Sequence, residues 1–279
     1  MSRFICRQWM PLLQRKNLNM ARFGAAKKHF GQNFLQDETV ITAILSAFSA
    51  RKGERVLEIG PGLGALTQHL LTSGAVVDVV EIDNDLIVHL QRRYPQLKQI
   101  HHQDALTFSL MDLNLSQQKV RIIGNLPYNI STPLLFHLLI QKDHISDMLF
   151  MLQQEVVDRL AAQPGCKAYG RLSVMMQLQC KVQALFSVPP QAFKPQPKVM
   201  SKIVYLVPYE KPLYAINSMV VLEDILRDAF NQRRKTIHNS LKQYFNSEQL
   251  IALGLDPKMR AEQISVEQWV KLANTVSSL

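Results

Sequence analysis

Cysteine is scarce in this chain: three residues in 279, at positions 6, 166 and 180, an odd and scattered set. A disulfide framework needs paired cysteines and a zinc site needs clustered ligands, so neither is expected, and a reducing, cytoplasmic setting is. No bound metal is expected either. No apolar run is long enough to span a bilayer, which argues against a membrane partner. Internal repeats and low-complexity tracts are lacking, so a solenoid is excluded. Acidic residues are also in deficit: 22 Asp and Glu stand against 32 Lys and Arg, a net charge of +10. Such an excess suits a polyanionic partner such as nucleic acid, with a merely solvated basic surface as the plainer reading.

What is present is apolar enough to fold. Hydrophobic residues make up 47% of the chain, and the length accommodates two domains. The first 36 residues carry seven Lys or Arg and no acid. Arg3, Arg7, Arg15 and Lys16 alternate with Phe4, Ile5, Trp9, Leu12 and Leu13, a pattern open to a transit-peptide reading. No continuous apolar segment follows the charges, so it is not a secretory signal. The preferred reading is a basic, disordered extension over residues 1–26, or a true start at Met20.

Apolar residues recur at helical spacing over residues 37–50, with Asp37 as N-cap. Strand-like and helix-like runs then alternate. Strands are expected at 55–59, 76–82, 99–102, 120–123 and 148–152. Helices are expected at 65–72, 84–93, 133–141, 154–162 and 172–180. This alternation implies a mostly parallel, doubly wound α/β sheet. Two later strands, 183–188 and 203–207, lack a helix between them and read as a hairpin with a long proline-rich connection, bringing the sheet to seven strands. Pro208 and Pro212 mark a linker, and helices at 221–230, 234–245, 247–253 and 266–276 form a small C-terminal helical domain over residues 210–279.

The fourth strand ends in Asn125-Leu126-Pro127-Tyr128. Ligands of open α/β sheets bind at such strand mouths. An amide oxygen and a backbone carbonyl can both accept from a planar exocyclic amine, and an aromatic ring can stack on the heterocycle that carries it. Pro127 restricts Leu126 to an extended conformation, holding that carbonyl in place. An ordinary strand-ending turn is the alternative.

Between the first strand and its helix lies Glu58-Ile59-Gly60-Pro61-Gly62-Leu63-Gly64-Ala65. Its glycines allow a tight turn and close ligand approach, and with Glu81 further on they fit a dinucleotide fingerprint. Pro61, however, removes a donor that a pyrophosphate would want, and Glu58 places negative charge at that point. A cationic ligand without phosphate, S-adenosylmethionine, fits better. Glu81 can accept from both ribose hydroxyls, and Asp104 from the adenine amine.

In their order these segments resemble the ribosomal RNA adenine dimethyltransferases, within them the bacterial small-subunit type. Gln32-Asn33-Phe34-Leu35 resembles the family's N-terminal cofactor motif, residues 58–67 its glycine motif, Val80-Glu81-Ile82-Asp83 its ribose motif and Gln103-Asp104-Ala105-Leu106 its adenine motif. Asn125–Tyr128 resembles the catalytic motif. Tyr169-Gly170-Arg171-Leu172-Ser173, Ala192-Phe193-Lys194-Pro195 and Phe230-Asn231-Gln232-Arg233-Arg234-Lys235 are similar to later signatures. The likeness runs from about Lys27 to the C-terminus; Met200 stands where the family often has an acid, and residues 1–19 precede the usual start.

The resemblance implies a Rossmann-like class I methyltransferase fold binding S-adenosylmethionine through Gln32, Asn33, Leu35, Glu58, Gly60, Gly62, Gly64, Glu81, Ile82, Asp104, Ala105 and Asn125. It implies catalysis by Asn125, Leu126, Pro127 and Tyr128, with Phe193 assisting the stack. The implied substrate is a pair of adjacent adenosines in the 3′-terminal hairpin of 16S rRNA, within the immature 30S subunit, methylated by a monomer. Arg233, Arg234 and Lys235, placed at the opening of a helix with Lys242 two turns on, are candidate phosphate contacts, as are Arg22, Lys27 and Lys28. Alternatives are a large-subunit enzyme of the macrolide-resistance type, a DNA adenine methyltransferase (disfavoured by Leu126), and a non-catalytic assembly or transcription factor on the same scaffold.

Overall fold

The structure, a computed structural model, describes residues 32–115 and 118–277. The chain builds one large sheet in the order β4–β3–β2–β5–β6–β9–β7. Its strands are β2 (Arg55–Ile59), β3 (Val76–Glu81), β4 (Gln99–His102), β5 (Val120–Asn125), β6 (Ile145–Gln153), β7 (Cys180–Val188) and β9 (Ser201–Pro208). β2 to β6 run parallel. The expected hairpin is present, with β9 antiparallel to both β6 and β7, so the last strand made lies inside the sheet and β7 forms the edge. β5 and β6 are almost wholly buried, as strands covered on both faces should be.

Two layers of helix cover the sheet. α1 (Glu38–Phe48) is capped by Asp37, whose carboxylate accepts from the N–H groups of Thr39 and Val40, and it buries Ile41, Ile44 and Phe48. α2 (Thr67–Thr72) begins two residues later than expected, because residues 62–66 form turns. α3 (Asn84–Arg93) is capped by Asp83; α4 (Ser131–Ile140), α5 (Gln154–Ala161) and α6 (Arg171–Gln179) follow.

The proline-rich connection contains an unforeseen short strand. β8 (Phe193–Lys194) pairs antiparallel with β1 (Phe34–Leu35), Leu35 opposite Phe193. The ribbon fastens the N-terminal motif to a segment about 160 residues away.

α7 (Met219–Asn231), α8 (Ile237–Ser240), α9 (Ser247–Ala252) and α10 (Val266–Ser277) enclose a separate cluster around Trp269, Phe230 and Phe245. That cluster also takes in Ala162, Tyr169, Val174, Met175 and Leu178, so the helical core draws on α6 as well as on residues beyond 210. The helix expected over 234–245 is a correction: only Ile237–Ser240 is α-helical, and residues 232–235 form turns. Arg233, its side chain still 45% exposed, donates to the carbonyls of Lys167 (2.7 Å) and Tyr169 (3.0 Å) and pairs with Glu262 at 3.2 Å.

Candidate functional site

The carboxyl ends of β2, β3 and β5 meet where the strand order reverses, the place at which open α/β sheets bind ligands. A cavity of about 250 Å³ opens there, lined by residues of five segments: 32–35, 58–66, 80–86, 103–105 and 125–130. Its walls therefore take residues from every motif quoted for the cofactor and for the catalytic mouth.

Glu58, the penultimate residue of β2, is buried at 2% exposure. Thr67 donates to it at 2.5 Å. Burial raises its pKa to about 7; the Thr67 hydrogen bond opposes this and the charge of Glu81 adds to it. A buried carboxyl raised in this way gains most from a cation brought beside it. Glu81, ending β3, is also buried and raised, first by desolvation, although the N–H groups of Asp83 and Ile82 donate to its carboxylate at 2.9 Å each. Those bonds fix the carboxylate at the cavity wall. Ile82, 42% exposed, lines the cavity beside it. Asp104 accepts from the Leu106 N–H at 2.9 Å through one oxygen, the turn geometry of a strand end, and also lines the cavity.

Gly60 and Gly62 turn with φ of +65° and +57°. A Cβ on Gly62 would stand 3.1 Å from the Phe34 ring, so the N-terminal motif lies directly over the glycine turn. Gln32 reaches the other side of the pocket and donates to Asp83 at 2.8 Å. Gly64 has a different task. It lies outside the cavity lining, and a Cβ there would fall 2.3 Å from the Tyr94 ring, whose hydroxyl donates to the Gly64 carbonyl at 3.1 Å.

Asn125 is the last residue of β5. Its Nδ2 donates to the Asn33 carbonyl at 2.9 Å, which commits the donor end of the amide to the protein and leaves Oδ1 as the end available to a ligand amine. Leu126 buries its side chain at 1% exposure and donates its N–H to the Met151 carbonyl at 3.2 Å; these anchors hold its own carbonyl still. Tyr128 is half-buried on the cavity wall, its hydroxyl 2.8 Å from the Ser201 hydroxyl. Burial raises its pKa, so at neutral pH it is a phenol rather than a base.

Phe193 departs from the expected placement. It is 4% exposed, packs in the core with Leu35 and is not part of the cavity lining. Arg22, Lys27 and Lys28 fall outside the described residues. Arg233, Arg234, Lys235 and Lys242 are all exposed. Among the described residues no group of three or more His, Cys, Asp or Glu is arranged to hold a metal, and no helix is long and apolar enough to cross a membrane.

Sequence reasoning missed Thr67, Ser201 and Gly124. A Cβ on Gly124 would lie 2.6 Å from the Ile59 carbonyl oxygen, so a glycine is needed for β5 to approach β2 beside the mouth. An alternating or periodic pattern signals none of the three.

This sheet, with an acid-lined pocket at its switch point and an Asn-Leu-Pro-Tyr mouth, defines a class I methyltransferase. The model of the family described as ribosomal RNA adenine dimethylase matches residues 24–278. The chain belongs to that family, whose methyl donor is S-adenosylmethionine. It is 51% identical over 256 residues to the Ribosomal RNA small subunit methyltransferase A of Pseudomonas aeruginosa, covering 91% of this chain and 96% of the relative. A Yersinia pseudotuberculosis protein of the same name is 52% identical over 257 residues, with 91% and 94% covered. Among solved structures, a dimethyladenosine transferase from Plasmodium falciparum superposes with a TM-score of 0.73 at 26% identity, covering 86% of this chain and 95% of the other. The 23S rRNA methyltransferase ErmE gives 0.69 at 25% identity, with 88% and 100% covered.

Proposed function

We propose that the protein transfers two methyl groups to the exocyclic amine of each of two adjacent adenosines in the 3′-terminal hairpin of 16S rRNA, acting as a monomer in the cytoplasm on an immature small subunit late in its assembly. The observation that carries this reading is the Asn125 amide, held by the Asn33 carbonyl with its oxygen left to accept, beside the fixed Leu126 carbonyl and the Tyr128 ring.

Bound S-adenosylmethionine supplies an electrophilic methyl group on a sulfonium. The donor set fits it: two buried carboxyls, an exposed aliphatic at Ile82 and a strand-end aspartate, with no cluster of basic side chains among the described residues of the lining to suit a pyrophosphate. In this reading Glu58 faces the cationic amino acid end, Glu81 accepts from the ribose diol and Asp104 from the adenine amine. An adenine amine is a weak nucleophile because its lone pair is delocalised into the ring. The Asn125 oxygen and Leu126 carbonyl accept its two hydrogens and draw the nitrogen toward a tetrahedral shape, while Tyr128 stacks on the extruded base. No strong general base is required, and positioning supplies most of the rate. Arg234, Lys235 and Lys242 contact phosphate from outside the pocket.

The test is incubation with labelled S-adenosylmethionine and unmethylated small subunits, followed by mass spectrometry of the rRNA nucleosides. Dimethyladenosine in the 3′-terminal hairpin is the expected product. Transfer confined to large-subunit RNA would replace this reading with the macrolide-resistance type, and tight subunit binding without transfer would leave an assembly factor.

A further inference from the structure

We propose that Ser201 is a positioning residue for methyl transfer, its hydroxyl holding the Tyr128 ring where the target base must stack. The inference rests on the stacking role proposed above for Tyr128.

Ser201 is the first residue of β9 and is wholly buried. Its backbone is paired on both sides, with Gln153 of β6 and Val188 of β7. The preceding carbonyl, that of Met200, accepts from the Gln154 N–H at 3.0 Å. The Ser201 backbone is therefore as fixed as any in the sheet, and its hydroxyl projects from a rigid base. That hydroxyl lies 2.8 Å from the Tyr128 hydroxyl, and among the described residues Tyr128 is its hydrogen-bond partner.

Tyr128 needs such an anchor. It sits past the end of β5, in a turn, only half-buried against the cavity. Its carbonyl accepts from the Ser131 hydroxyl at 3.1 Å, which fixes the backbone but not the ring. A phenol hydroxyl lies on the long axis of its ring. One tie at the backbone and one at the hydroxyl fix that axis, so the ring cannot swing out of the cavity by changing rotamer, yet it can still turn about the axis. This is the freedom a stacking platform requires when the base shifts after its first methylation, with one N–H fewer to direct it. The hydrogen bond is neutral, and in Ser201→Ala the half-buried phenol finds water, so that variant loses little fold stability. Tyr128→Phe leaves the buried Ser201 hydroxyl unpaired and is the more destabilising of the two. The effect of Ser201→Ala falls on ring placement.

The variants Ser201→Ala and Tyr128→Phe remove the same bond from its two ends. Each should lower kcat on unmethylated small subunits about tenfold, as small misplacements at a reacting centre do, with S-adenosylmethionine affinity unchanged and KM for the subunit nearly so. The double variant should be no slower than either single one, since both delete one interaction. Should Ser201→Ala fail to fold, Tyr128→Phe still tests the bond from its exposed end. Full kcat in Ser201→Ala with a lowered melting temperature would overturn the proposal, as would single losses that multiply in the double variant. Tyr128→Ala separates the two readings. Activity retained there defeats stacking itself; activity lost there but kept in Ser201→Ala and Tyr128→Phe defeats only the tie.

Discussion

At Asn125 one side chain is asked to face two ways, and that constraint predicts how substitutions fail. Asn125→Ala should lower turnover by at least ~10²-fold, the scale for losing one preorganised polar contact at a reacting atom, while equilibrium dialysis still shows S-adenosylmethionine bound. Asn125→Asp keeps the shape but, where alanine only leaves a gap, sets a carboxylate oxygen against the Asn33 carbonyl that Nδ2 now meets at 2.9 Å, and the two repel. It should be as inactive and should also weaken cofactor binding, by loosening the N-terminal motif. Glu58 makes a prediction in pH. The fold raises its pKa from 4.5 to about 7, so it favours the protonated acid. That contribution to stability, roughly 3 kcal/mol, is complete below pH 4.5 and is lost as pH rises through about 7. A cationic ligand reverses the preference and expels the proton. S-adenosylmethionine affinity should therefore climb up to about pH 7 and then level, with proton release near pH 6 in calorimetry; equal release from Glu58→Gln would refute the assignment. The acids themselves were legible in the sequence, because carboxyls at strand ends in a glycine-rich α/β pattern have few other uses. Their settings were not: the Thr67 contact to Glu58 joins residues nine apart around a turn whose shape only packing decides. Phe193 shows the same limit, since no local pattern tells a ring over a pocket from a ring beneath it.

Among the elements, those with strong local signals came out as read. α3 spans the expected residues because Asp83 caps it and its apolar positions keep helical spacing. The seven main strands were visible as apolar runs, two with their bounds as expected and the other five with ends displaced by up to three residues. The short ribbon of β1 and β8 was not, for two residues on each side carry no periodicity. The broken helix after Arg233 escaped for another reason: tertiary partners at 167, 169 and 262 outweigh local helix propensity. Close packing at the mouth gives a test at this scale. Gly124→Ala places a Cβ against the Ile59 carbonyl, where backbone must move; a loss of about 1–3 kcal/mol in denaturant melts is expected, together with weakened cofactor binding. At the opposite end of the same strands Arg121 pairs with Asp147 and Glu54, donates to the Phe48 and Ser49 carbonyls, and stacks on the Phe48 ring at 4.2 Å. Removing it takes the counter-charge from partly buried Asp147 and Glu54, which keep only the Tyr205 hydroxyl and the Arg51 N–H as donors, so Arg121→Ala should cost about 3 kcal/mol with no change in which nucleoside is modified.

Across the whole molecule the excess of positive charge is divided between structure and surface. All three of Arg233, Arg234 and Lys235 are exposed, but Arg233 also donates to the protein's own carbonyls. The three adjacent residues should then separate in one experiment. Arg234→Ala with Lys235→Ala should weaken subunit binding and flatten its dependence on log salt by about one to two units, leaving the melting temperature alone. Arg233→Ala should lower the melting temperature and leave the salt slope. The reverse assignment would return Arg233 to the RNA interface. Basic composition announced a polyanion, but which basic residues reach it depends on partners distant in the chain.

The interior place of β9 bears on how the protein is made. β6 is complete by residue 153, nine residues long and buried along nearly its whole length, but the strand that covers its free edge spans Ser201–Pro208. A chain growing from the ribosome therefore holds an apolar, unpaired strand edge open while some fifty further residues are added. Such edges recruit other strands, and pairings this distant in sequence close slowly. Nascent chains halted before β9 should be the protease-sensitive, chaperone-dependent stage of synthesis, and those halted just beyond it the first to resist. The same late strand that seals the sheet delivers Ser201 to Tyr128, so the pocket matures only once that vulnerable interval has closed.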